Sequence, residues 1–161
     1  MDHKDILILG AGRSSSKLIA YLLQKGGSRG WTITVGDISL AQATERITGF
    51  TNGEAIEFNI ERKEESRRII QAHRLVVSLL PAHLHPNAAS ICLEEGKHFL
   101  TASYVSDEMR GFDEQAKQKN LLFLNECGLD PGIDHMSGMQ VIDRIKSHGE
   151  CLLLSNHLAG A

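Results

Sequence analysis

Glycines and hydroxyls crowd into one short turn, Gly10-Ala11-Gly12-Arg13-Ser14-Ser15, which follows the apolar run Ile6-Leu7-Ile8-Leu9 and precedes a helical stretch. The first glycine of such a turn permits the bend, and the second lets a diphosphate approach the backbone. Amides opening the following helix, supplemented by the hydroxyls of Ser14 and Ser15 and with Arg13 beside them, can donate to phosphate oxygens. Ser15 stands where a third glycine is usual and is small enough for close helix–strand packing. An ordinary flexible turn is the competing reading; the position between a strand and a helix favours dinucleotide binding.

Asp37 closes the next apolar run and can accept hydrogen bonds from the hydroxyls of an adenosine ribose. A 2′-phosphate would be repelled there, and no Lys or Arg directly follows, so this residue selects NAD over NADP. Asn59 can reach adenine through its amide, although a polar residue leaving a strand is also common turn chemistry. Ser78, Leu79 and Leu80, closed by Pro81, lie where the phosphates and the nicotinamide ribose of a cofactor would pass. Thr101-Ala102-Ser103-Tyr104 brings hydroxyls toward the nicotinamide end. The segment Asn125 to His135 is the densest in acid–base groups, and its Asp130-Pro131-Gly132 also reads as a helix start, with Asp130 as cap and Pro131 at the first helical position.

These residues need a scaffold that gathers the ends of several strands. Apolar runs at Ile6–Leu9, Thr32–Val35, Ala55–Phe58, Leu75–Leu80, His98–Leu100 and Leu121–Leu124 alternate with helix-length segments. The helices are expected from Lys17 to Lys25, stopped by Gly26-Gly27, then after Ser39, from Glu61 to Ala72, from Pro86 to Glu95, after Ser106, and from Met136 to Lys146. Strands apolar on both faces, separated by helices and lacking tight hairpin turns, predict an α/β fold: a doubly wound parallel sheet of the Rossmann type. Such sheets bind ligands at the carboxyl ends of their strands, where all the residues above fall.

Composition narrows the partners. With 17 Lys+Arg against 20 Asp+Glu and no uniformly basic stretch, there is no electrostatic footprint for nucleic acid or an anionic membrane. The apolar runs are far shorter than the roughly 20 residues of a membrane span, and the first residues lack the design of a signal peptide, so a cytoplasmic location is expected. Cys92, Cys127 and Cys151 show no short paired spacing, and His83 and His85 stand two apart with the other histidines scattered. No metal site is expected, and most histidines read as surface or polar-network residues.

Four segments, Ile8-Leu9-Gly10-Ala11-Gly12, Val77-Ser78-Leu79-Leu80-Pro81, Thr101-Ala102-Ser103-Tyr104-Val105-Ser106 and Asn125 to His135, together resemble the saccharopine dehydrogenase family, nearest its glutamate-forming members. Leu129-Asp130-Pro131-Gly132-Ile133-Asp134-His135 is the most specific of them, and the resemblance runs over essentially the whole chain. It implies reversible oxidation of saccharopine, a secondary amine linking two amino acids, in lysine and 2-aminoadipate metabolism. Hydride leaves the carbon attached to the bridging nitrogen, and water hydrolyses the resulting imine to a semialdehyde and glutamate. Carried over by position, Gly10, Gly12, Ser14 and Ser15 correspond to the diphosphate turn, Leu79 and Leu80 to cofactor contacts on the fourth strand, and Leu129, Asp130 and Pro131 to contacts beside the nicotinamide. Ser103, Tyr104 and Asp130 correspond to the substrate side, with Tyr104 and Asp130 as candidates for moving the protons that amine oxidation and imine hydrolysis require.

Two departures stand out. NADP-using members commonly carry a basic residue after the second strand, where this chain has Asp37. The family's large substrate domain normally begins after a strand like Leu152-Leu153-Leu154, and Asn156 to Ala161 match it poorly. The expected organisation is a cofactor domain over residues 1–149 and the start of a truncated substrate domain over 150–161, with self-association into a homo-oligomer through the uncovered leucines. A nucleotide-binding module without catalysis, and a related carboxynorspermidine-type reductase acting on another amino-acid substrate, are the alternatives.

Overall fold

The structure, a computed structural model, describes residues 5–147; the expected strand at 152–154, its oligomer contact and the domain boundary near 149 lie outside them. Six parallel strands form one sheet: β1 (Ile6–Leu9), β2 (Ile33–Asp37), β3 (Gly53–Glu57), β4 (Leu75–Ser78), β5 (His98–Thr101) and β6 (Phe123–Leu124). Their spatial order is β3-β2-β1-β4-β5-β6, so the direction of winding reverses between β1 and β4. Six helices connect them, α1 (Ser16–Gly27), α2 (Leu40–Ile47), α3 (Lys63–Gln71), α4 (His85–Glu94), α5 (Asp107–Arg110) and α6 (Asp113–Gln118), and α7 (Ile133–Ser147) follows β6. The doubly wound reading of the sequence is therefore correct.

Side-chain alternation on β1 divides the core in two. Leu7 and Leu9 join Phe58, Ile70, Val76, Ala88, Cys92, Phe99 and Met109 on one face, while Ile6 and Ile8 join Ile19, Leu23, Ile33, Val35, Ala43 and Val77 on the other. Burying each large side chain contributes about 1.5–3 kcal/mol, which is why both faces of the central strand must be apolar. The caps expected at Ser39 and Ser106 form, their hydroxyls accepting from the amides of Gln42 and Met109.

One expected helix end moves. Rather than stopping at Gly26, α1 runs through Gly27. A Cβ on Gly26 would come within 2.9 Å of Asn52 Nδ2 and 3.3 Å of Trp31 Cβ, so this glycine serves packing rather than termination. Among the described residues, no helix is long and apolar enough to cross a membrane.

Candidate functional site

At the reversal of winding, a crevice of about 310 Å³ opens beyond the carboxyl ends of β1, β2 and β4. Gly10, Gly12, Asp37, Asn59, Leu79 and Leu80 line it, together with Ile38, Phe58, Ile60, Glu61, Pro81 and Leu84. Gly10 adopts φ +104°, and a Cβ there would sit 2.8 Å from the Leu79 carbonyl oxygen, so only glycine brings β1 out of the sheet this close to β4. Gly12 differs: its φ of −62° suits any residue, and a Cβ would meet nothing within 4 Å. The space above Gly12 belongs to the crevice, which is the room a diphosphate needs beside the amides of Arg13 and Ser14 in the helical turn that leads into α1; the Ser15 amide donates to the Gly12 carbonyl.

Asp37 is fixed at the crevice edge. Its Oδ2 accepts from the Ala11 amide at 2.7 Å and its Oδ1 from the Ser39 amide at 2.9 Å, joining the glycine turn to the tip of β2. The Arg46 Nε on α2 donates to the Ala11 carbonyl at 3.1 Å, a cation beside the same turn that its sequence position does not signal. Asn59 lies in the crevice, and its Oδ1 accepts from the Glu61 amide at 3.0 Å.

One hydroxyl expected to meet the cofactor is turned elsewhere. Ser15 is buried and donates to the Gly12 carbonyl at 2.7 Å, so it packs in the place of the third glycine and its hydroxyl is not a phosphate donor. Ser78 is fully buried, with its hydroxyl 2.8 Å from His85 Nδ1. Arg13 and Ser14 are exposed.

The second cluster forms where the loops leaving β5 and β6 are laced together. The amides of Glu126 and Cys127 donate to the carbonyls of Ser103 and Thr101, and Glu126 Oε1 accepts from the Val105 amide at 3.1 Å. Gly132 closes the following turn: it has φ +146°, and a Cβ would lie 2.2 Å from the Gly128 carbonyl oxygen. Tyr104 thereby meets Asp130, its hydroxyl donating to Oδ1 at 2.5 Å. That hydrogen bond pushes the phenol up to about 12, so Tyr104 keeps its proton at neutral pH and shares it with the carboxylate. Asp134 and His135 adjoin, with ligand-type atoms of Asp130, Asp134 and His135 within 4.8 Å of one another and all three residues exposed. Leu129 is exposed and Pro131 buried. Asn125, leaving β6, holds its side-chain oxygen buried without a partner among the described residues, an acceptor that a ligand N–H would satisfy.

The helix start expected at Asp130-Pro131 is corrected. The Asp130–Pro131 peptide is cis and α7 begins at Ile133, so Asp130 is not its cap and Pro131 is not its first residue. The Asp130 carboxylate goes to Tyr104 instead.

His85, read from the sequence only as one of the histidines on the surface or in polar networks, is 3% exposed and bonded at both ring nitrogens. Burial, with His83 nearby, holds its imidazole below the ordinary 6.5. Because the folded value is the lower one, the unfolded chain takes up a proton first as the pH falls. Stability from this residue is intact above about 6.5 and declines as the pH drops below it, until the buried ring protonates as well. Thermal melts between neutral and mildly acidic pH should therefore fall more steeply for the wild-type chain than for His85→Gln, which has no proton to gain; parallel curves would contradict this.

Comparison with known proteins follows the same outline. The family model described as saccharopine dehydrogenase NADP binding domain matches residues 6–124. An alpha-aminoadipic semialdehyde synthase of Arabidopsis thaliana is 35% identical over 155 residues, covering 86% of this chain and 15% of that protein. A saccharopine dehydrogenase (NADP(+), L-glutamate-forming) of Schizosaccharomyces pombe is 31% identical over 144 residues, covering 89% of this chain and 31% of the relative. The apo saccharopine dehydrogenase (L-Glu forming) structure from Saccharomyces cerevisiae superposes with a TM-score of 0.79 at 27% identity, covering 91% of this chain and 32% of that one. The chain thus spans about a third or less of the length of these proteins.

Proposed function

The chain belongs to the saccharopine dehydrogenase family, and we propose that it is the dinucleotide-binding part of an oxidoreductase acting on the CH–NH bond of saccharopine. One juxtaposition carries this reading: an open glycine turn with Asp37 at its edge, on the same end of the sheet as a Tyr104–Asp130 pair. A bound nicotinamide would supply the hydride acceptor. Around it, Gly12 and the amides opening α1 receive the diphosphate, Asp37 holds the adenosine ribose, and Leu79 and Leu80 form the apolar wall. On the substrate side, Asp130 is the acceptor for the proton of the bridging amine, and Tyr104, protonated at neutral pH, returns a proton during imine hydrolysis. Ser103 contributes a hydroxyl to the amino-acid substrate.

The choice of NAD is the finer part of the proposal. The matched family model and the fungal relative carry NADP in their descriptions. NAD is supported here by the Asp37 carboxylate, which faces the ribose position and is held by two amides. A calorimetric titration with each dinucleotide tests the reading: NAD is expected to bind at least about tenfold more tightly than NADP, a difference of about 1.4 kcal/mol. Tighter NADP binding would overturn the choice, and heat from neither would overturn the cofactor site. Saccharopine-dependent reduction of NAD by the protein expressed from its own gene tests the reaction.

A further inference from the structure

His85 opens α4 immediately before Pro86, and its ring lies edge-on to Phe99, with centroids 6.5 Å apart. Three hydroxyls surround it. Ser78 Oγ is 2.8 Å from Nδ1, Ser103 Oγ is 2.8 Å from Nε2, and Thr101 Oγ1 is 3.1 Å from Nε2. Ser78 and Thr101 are register partners at the ends of β4 and β5, so two of the three contacts are to points fixed by the sheet. The third is to a loop.

The ring is held at Nδ1 by the end of one strand and at Nε2 by the end of its neighbour, and its Nε2 sets where the Ser103 hydroxyl sits. A neutral imidazole donates from one nitrogen and accepts at the other, and hydroxyls rotate to satisfy either tautomer. The rest of residue 103 is held as well, its amide on Thr101 Oγ1 at 3.3 Å and its carbonyl receiving the Glu126 amide at 3.1 Å. The next residue along the chain is Tyr104, whose hydroxyl meets Asp130.

We propose that His85 is a positioning residue for the substrate side of the site: it takes its orientation from the sheet through Ser78 and Thr101 and passes it through Ser103 to the Tyr104–Asp130 pair. This deepens the reading of that pair given above and rests on it for its bearing on the reaction, but neither cofactor nor substrate enters its test.

The chain has two tyrosines, Tyr21 and Tyr104, so a Tyr21→Phe background leaves Tyr104 as the sole reporter. Tetranitromethane nitrates the phenolate form, and Tyr104 is already 59% exposed, so its nitration rate at mildly alkaline pH reads its ionisation rather than its access. Asp130→Asn, which removes the partner that retains the proton, calibrates the upper end; restoring an ordinary phenol near 10 from about 12 raises the phenolate fraction about a hundredfold. Asn at position 85 places its amide nitrogen near the former Nδ1 and keeps only Ser78, whereas Gln reaches the former Nε2 and keeps both the sheet-fixed Thr101 and Ser103. His85→Asn is therefore expected to raise the rate at least about tenfold, and His85→Gln to leave it within about twofold of the background.

Equal rates for the two His85 variants would reduce the residue to packing and overturn the proposal. Ser103→Ala cuts the same link without touching the buried ring and decides the matter if either variant fails to fold: it too should speed nitration about tenfold, and an unchanged rate overturns the proposal. An Asp130→Asn rate equal to the background would remove the pair itself and the proposal with it. Failure of the dinucleotide titration, by contrast, would leave all these rates as they are.

Discussion

Gly12→Val is expected to leave the fold intact and to lower NAD affinity at least about a hundredfold, close to 2.7 kcal/mol of binding energy. The position has φ −62° and ψ −177°, an extended conformation that a β-branched residue adopts readily, and a Cβ there touches nothing within 4 Å. The melting temperature should move little, as for a surface substitution within about 0.5 kcal/mol. The same open space is what a diphosphate must fill, so the added isopropyl group is expected to exclude the ligand while leaving the fold unstrained. Gly10→Ala serves as the contrast: its Cβ would stand 2.8 Å from the Leu79 carbonyl in a left-handed backbone, so it should weaken folding and binding together. Calorimetric titration alongside a thermal melt separates the two effects. NAD affinity unchanged in Gly12→Val would remove the diphosphate from this turn.

The sheet was legible because its central strands β1, β2 and β4 are short apolar runs buried on both faces, and the turn after β1 because glycine spacing signals backbone geometry directly. Local chemistry also placed the caps at Ser39 and Ser106 correctly. What escaped depends on residues that meet only after folding. Gly26-Gly27 reads as a helix stop, but the need for a glycine at 26 comes from Asn52 and Trp31 on other elements. Ser15 reads as a ligand donor, and the fold gives its hydroxyl to the Gly12 carbonyl. Asp130 reads as a cap until the crossing of two loops offers it Tyr104, 26 positions away. Arg46 and His85 carried no local signal: the first reaches Ala11 across 35 positions, and the second links hydroxyls from two strand ends and a loop.

Asp37→Asn should shift the ratio of NAD to NADP affinity by at least about tenfold toward NADP. In the wild-type chain the carboxylate spends one oxygen on the Ala11 amide and the other on the Ser39 amide, yet each oxygen keeps acceptor capacity for a ribose hydroxyl. A 2′-phosphate replacing that hydroxyl would set two anions side by side; near a protein surface, like unit charges about 4 Å apart repel by about 4 kcal/mol. Asparagine keeps one acceptor oxygen for one of the two amides, sets its NH₂ against the other, which loses its acceptor, and removes the charge that repels the phosphate. NADP affinity should therefore rise, while NAD affinity falls by the loss of one charge-assisted hydrogen bond, about 1.5–3 kcal/mol at most. Arg46 decides the opposite case. Its guanidinium is anchored to the Ala11 carbonyl beside this corner and is the cation from which a 2′-phosphate would gain. If NADP is the natural ligand, Arg46→Gln will weaken NADP much more than NAD and Asp37→Asn will barely change either. If Asp37 selects NAD, Arg46→Gln will weaken both dinucleotides alike, through the turn it braces, and only Asp37→Asn will change the ratio.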